Sequence, residues 1–184
     1  MTRSLAQTTT EQATWAVLLV AVSAISSSVF ACVTPFAAFA VAAAYVLPTR
    51  AAIVSAVAVW LANQAVGFGY LHYPWDQNTI LWGFAIGAAA IVATGLASIV
   101  LRQTRHGIIA ATGAALVAAF AAYEVGLFLI SLVLGGEDAF TVAIVGRLAL
   151  LNVAWAVGLV IASEVFRHVS IVGFLSRRDS HRVA

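Results

Sequence analysis

The chain has 184 residues, of which 63% are hydrophobic and only 9% charged, with a formal net charge of +2; its mean hydropathy is +1.03. So short a chain cannot cover that much apolar surface, which excludes a soluble globular domain and makes lipid the solvent for most side chains. Lysine is absent and all nine basic residues are arginine, so they are read first as topology determinants and not as a nucleic-acid surface.

A single membrane domain over 1–184 is what this length accommodates. Arg3 ahead of an apolar run has the outline of a signal peptide, and Val29-Phe30-Ala31-Cys32 that of a lipoprotein cleavage box. The polar leader is long, however, it contains Glu11, and Phe30 stands where a small residue is needed, so the segment is read as a helix. A spanning helix needs about 20 apolar residues. The first apolar run, 14–47, is too long for one span and too short for two. Pro35 divides it, because the residue before a proline is biased away from helix. The pattern predicts a full helix over about 14–33 and a short one over about 36–47, closed by Pro48. Four further helices follow over about 51–69, 79–101, 108–134 and 141–166, with a cytoplasmic tail over 167–184.

This makes an all-α integral membrane protein of six transmembrane helices. With both termini cytoplasmic, Arg3, Arg50, Arg102, Arg105 and the tail arginines fall inside, while Asp76, Glu137 and Asp138 fall outside. The positive-inside rule favours that segregation, and an odd number of crossings would spoil it. Gly83 and Gly87 form a GxxxG pair, and Ala24/Ser28, Ala38/Ala42 and Ala40/Ala44 repeat the spacing of small residues that lets helix backbones approach in lipid.

The stretch Phe68–Asn78 gathers Tyr70, His72, Tyr73, Pro74, Trp75 and Asp76 between the third and fourth helices. Such amphipathic rings suit a membrane–water boundary. On the same side, Glu124 is predicted about 15 Å deep in the fifth helix and Arg147 about 9 Å deep in the sixth, from the helical rise. Asn63, Gln64 and Asn152 lie at comparable levels. Ionisable groups in a membrane usually face the bundle interior or a cavity. Glu124 and Arg147 are read either as an ion pair bracing two helices or, with Asn63, Gln64 and Asn152, as the lining of a cup open to the outside. The inner halves carry little beyond Glu164, which disfavours a proton path through the full thickness. His72 is read as a turn histidine or as a metal ligand through a neutral imidazole nitrogen. One histidine cannot hold free zinc, but suffices for a metal already held in a macrocycle. Cys32 is read as a buried small residue, with a soft metal ligand as the alternative. As the only cysteine, it excludes an intrachain disulfide and a cysteine-rich site.

Six helices with a short second one and polarity concentrated outside resemble the S-components of energy-coupling-factor (ECF) vitamin transporters. Within that class, Asn63-Gln64-Ala65-Val66-Gly67-Phe68-Gly69 followed by Tyr73-Pro74-Trp75 is similar to the BtuM group of bacterial cobalamin transporters. The resemblance implies uptake of cobalamin (vitamin B12) or another corrinoid across a bacterial inner membrane, bound in an outer cup. Members of that group can ligate cobalt through a cysteine thiolate; this loop offers His72 instead, so cysteine-dependent removal of cyanide is not carried over. The resemblance also implies docking on ECF transmembrane and ATPase subunits through small residues of the first helix, here Ala24 and Ser28. The alternatives are an S-component for a different vitamin and a structural or assembly subunit of a larger membrane complex. No intrinsic cofactor is expected. A membrane enzyme is disfavoured, since the sequence has no HExxH, no nucleophile–base set and no phosphate-binding glycine loop.

Overall fold

The computed structural model describes the backbone of residues 9–30, 34–104 and 107–180, with side chains at 12–27, 34–104, 107–166 and 168. These residues form six α-helices and no strand: α1 (Thr9–Phe30), α2 (Phe36–Val46), α3 (Thr49–Ala65), α4 (Gln77–Gln103), α5 (Ile108–Leu134) and α6 (Val142–Ser180). Four helical stretches, Thr49–Tyr70, Gln77–Gln103, Ile108–Leu134 and Val142–Phe166, are long and apolar enough to cross a membrane.

The helix too short to cross is the one that all the others touch. α2 packs against α1, α3, α4, α5 and α6, and every residue from Phe36 to Ala44 is buried. Its sequence, FAAFAVAAAYV, is apolar on all sides, as a helix without a solvent face must be. Eleven residues span about 16 Å, about half the hydrocarbon thickness, so α2 fills the core over part of the bundle's length only. Its first residues therefore start inside the protein, where backbone N–H groups have no water to bond.

Local chemistry meets that demand. Pro35 has no N–H to satisfy, and its φ of −77° and ψ of 67° place it at the centre of an inverse γ-turn. Phe36 N–H donates to the Thr34 carbonyl across this turn at 2.8 Å. Ala38 N–H donates to Oδ1 of Asn152 at 3.0 Å, so a side chain from α6 caps α2. Asn152 is held for this by donating its own amide to the Leu148 carbonyl at 2.9 Å.

α4 and α5 pack along matched stripes spaced by one helical turn. Ala85, Ala89, Ala93, Ala97 and Leu101 of α4 are buried, as are Ala111, Ala115, Ala119, Leu127 and Ser131 of α5. Small residues on an i, i+4 ridge bring the backbones close, where dispersion replaces the hydrophobic drive that lipid does not supply. Gly83 and Gly87 of α4 face α3. A Cβ at Gly87 would lie 2.7 Å from the Trp60 indole, and one at Gly83 would lie 2.7 Å from Gln64 Oε1. The indole N–H donates to the Gly83 carbonyl at 2.8 Å, so the glycine pair seats side chains of α3.

α3 is continued by a π-helical turn, Val66–Tyr70, where the sequence predicts helix to residue 69. α6 runs on to Ser180, across most of the segment read as a tail. Residues 167–180 contain no proline, so the change from apolar to polar composition there marks no break in the helix. At 39 residues, α6 is about 58 Å long.

Candidate binding face at the His72 end

The loop after α3 is built on the π-helical turn. Leu71 N–H donates to the Val66 carbonyl at 2.9 Å and Tyr73 N–H to the Gly67 carbonyl at 3.1 Å. His72 between them has φ 57°, the left-handed conformation that closes many helices and that histidine tolerates better than most residues. A Cβ at Gly67 would lie 2.7 Å from the Tyr73 ring, so this glycine lets the loop fold back on the turn. Phe68 receives Trp75 at 4.5 Å between ring centroids and the edge of Tyr73 at 6.1 Å. Asp76 then starts α4, accepting from Thr79 N–H at 2.8 Å and from the Thr79 hydroxyl at 3.1 Å. The backbone bond from Thr79 holds the Asp76 carboxyl below its ordinary range.

Two side chains of the loop stand out from this packing. Tyr70 is 66% exposed and Trp75 is 75% exposed, despite its contact with Phe68. His72 is exposed, and its Nδ1 lies 2.7 Å from the Tyr70 carbonyl. A carbonyl only accepts, so Nδ1 carries the proton of that bond. In the neutral ring this leaves the lone pair on Nε2, which has no hydrogen-bond partner among the described residues. Among those residues no three His, Cys, Asp or Glu side chains cluster as a metal site.

The polar residues of the spans do not converge on His72. Asn63 donates to Ser27 Oγ at 3.2 Å and to Thr34 Oγ1 at 2.9 Å, and those two hydroxyls lie 2.7 Å apart. Gln64 donates to Asn63 Oδ1 at 3.3 Å. These bonds tie α1 and the start of α2 to α3. Asn152 caps α2, as described above. Glu124 is half-buried on α5 and Arg147 is exposed on α6; among the described residues neither forms an ion pair. Farther along the bundle, the Tyr45 hydroxyl donates to the Glu164 carboxylate, joining α2 to α6. Ala24 is half-buried on α1, whereas Cys32 and the side chain of Ser28 lie outside the described residues.

Sequence reasoning identified Asn63 and Asn152 as polar residues within spans but gave no sign that they cap and tie helices. The buried start of α2 was the available signal, since its N–H groups need acceptors from elsewhere. Compared with protein-family profiles, curated proteins and solved structures, the chain matches none.

Proposed function

We propose that this chain is a membrane-embedded receptor for uptake of a corrinoid vitamin, with cobalamin the favoured ligand. The observation that carries the reading is the orientation of His72. The Tyr70 carbonyl fixes the ring through Nδ1, and the second nitrogen is left as a lone-pair donor on an exposed loop. Such outer bonds are how proteins set the tautomer and direction of a metal-binding imidazole. A corrin brings cobalt with its equatorial positions already filled and needs one axial donor, whereas a free ion would need a cluster. Tyr70 and Trp75, exposed beside His72, offer apolar faces to a planar ligand. In this reading the loop faces outward in a bacterial inner membrane, and release to the cytoplasm requires either ECF partner subunits or motion within the bundle.

The test is optical. Protein incubated with aquocobalamin and desalted is expected to retain the corrinoid with shifted bands, as imidazole replaces water on cobalt. His72→Ala and His72→Gly are both expected to remove the shift, and the glycine variant keeps the left-handed backbone without strain. Wild-type protein that retains no corrinoid, or that shows the same bands in all three forms, overturns the assignment.

A second reading, a subunit of a larger membrane assembly, is favoured by Glu124 and Arg147, whose charges have no ion-pair partner in this chain among the described residues. It predicts that the protein leaves mild detergent extracts in a complex, and that Glu124→Gln or Arg147→Gln weakens that complex without changing the helical content of the chain.

A further inference from the structure

The opposite end of the bundle carries an open groove of about 610 Å³, formed by the start of α1, the start of α3 and the end of α4. Arg50 and Arg102 line it together with Gln12, Thr49 and Val54, and no carboxylate is among the described lining residues. Both arginines are exposed, and neither forms an ion pair among the described residues. Two like charges from different helices thus border one recess, and no described side chain pairs with either of them. The recess is not polar throughout. Val54, on a helix apolar enough to cross a membrane, is 67% exposed at its edge. A phospholipid presents the matching juxtaposition, an anionic headgroup next to an acyl chain.

We propose that this groove is a binding site for an anionic phospholipid, its phosphate taken by Arg50 and Arg102 and an acyl chain lying along Val54. Guanidinium groups suit the task because their fork of donors matches phosphate oxygens. Basic recesses between transmembrane helices suit anionic headgroups because the headgroup phosphate neutralises like charges held close together. The uncapped first turn of α3, whose leading residues Thr49 and Arg50 border the groove, adds backbone N–H groups on the same side. A soluble anion would use the arginines but leave the apolar wall uncovered, which is the reason for preferring the lipid. The site is independent of what binds near His72.

Native mass spectrometry of the full-length protein tests this, after exchange into detergent containing equal phosphatidylglycerol and phosphatidylcholine. Wild-type protein is expected to retain phosphatidylglycerol in preference. Retention should fall about fivefold for Arg50→Gln or Arg102→Gln alone and about 25-fold for both together, from the usual worth of one basic residue at an anionic surface. Lysine at both positions should keep the preference for the anionic lipid. Helical circular dichroism of each variant separates loss of lipid from loss of fold, and the single variants serve if the double one does not fold. Equal retention of the two lipids by the wild type, or unchanged retention in the double glutamine variant, overturns the proposal. So does release of the lipid by millimolar inorganic phosphate, which would mark a site for a soluble anion.

Discussion

Buried serines in this bundle divide into two kinds, and a single substitution distinguishes them. Ser27 belongs to the triangle with Thr34 and Asn63, so Ser27→Ala removes one bond from each of two buried or half-buried partners and leaves only the bond between Asn63 and Thr34. Ser55 is buried with no hydrogen bond among the described residues. It borders an apolar void of about 10 Å³, at the lower limit for holding one water. Removing an unsatisfied hydroxyl is nearly neutral or stabilising, whereas removing one partner of a satisfied pair costs about 1–3 kcal/mol. Unfolding titrations in mixed micelles should therefore place Ser27→Ala well below the wild type and Ser55→Ala at or above it. Asn152→Leu belongs with Ser27→Ala, since it uncaps Ala38 in the core, and a loss of about 1–3 kcal/mol is expected. Asp76 adds a dependence on pH. Its carboxyl titrates below the ordinary value in the folded protein because of the bond from Thr79. The stability it contributes is therefore complete above the unfolded value near 3.8 and is lost as the pH falls through the lower folded value. Asp76→Asn should remove that component of the acid limb, which parallel melts between neutral and acid pH would detect.

Between helices, close approach is secured by specific residue pairs as well as by general small-residue content. Gly87 illustrates this: a methyl group there meets the Trp60 ring at 2.7 Å, and the ring is held by its bond to the Gly83 carbonyl. Gly87→Ala is expected to cost about 1–3 kcal/mol by overpacking. Trp60→Phe, which shortens the ring and abandons the bond, should make the two changes less than additive. Equal losses from Gly87→Ala in both backgrounds would show that the indole is not what the glycine accommodates. The GxxxG pair was legible in the sequence, but its partner was not, because small-residue spacing names one surface of a contact and says nothing about the other. The same limit applies to α2. Pro35 and Pro48 bracket it, and its length follows from them, yet its place beneath every other helix depends on tertiary packing. The π-helical turn was also invisible, since Asn63–Gly69 reads as ordinary helix up to its glycines and the extra residue shows only in the bonds of Leu71 and Tyr73.

For the molecule as a whole, apolar run lengths made the six helices legible, and α5 begins and ends where the sequence predicts. The polar residues were harder to place, because depth along a span says nothing about which way a side chain turns. Asn63 and Asn152 turn toward helix termini and hydroxyls, whereas His72 turns toward its own loop. The positive-inside rule gives only an expected orientation in the membrane, and α4 is the element on which to measure it. Its 27 residues extend about 40 Å, enough to cross the bilayer, and separate Asn78 beside the aromatic loop from Thr104 beside Arg102. Arginines gather at the Thr104 end while the loop joining α3 to α4 has none, from which the positive-inside rule predicts Asn78 outside. In a Cys32→Ala background, an impermeant maleimide added to intact cells should label Asn78→Cys and leave Thr104→Cys unlabelled until the membrane is opened. Labelling in the reverse pattern would turn the protein over and place His72 in the cytoplasm, where it could not receive an external vitamin. Labelling of both from outside would mean that α4 does not cross, and would remove the membrane frame on which the lipid groove and the His72 face both depend.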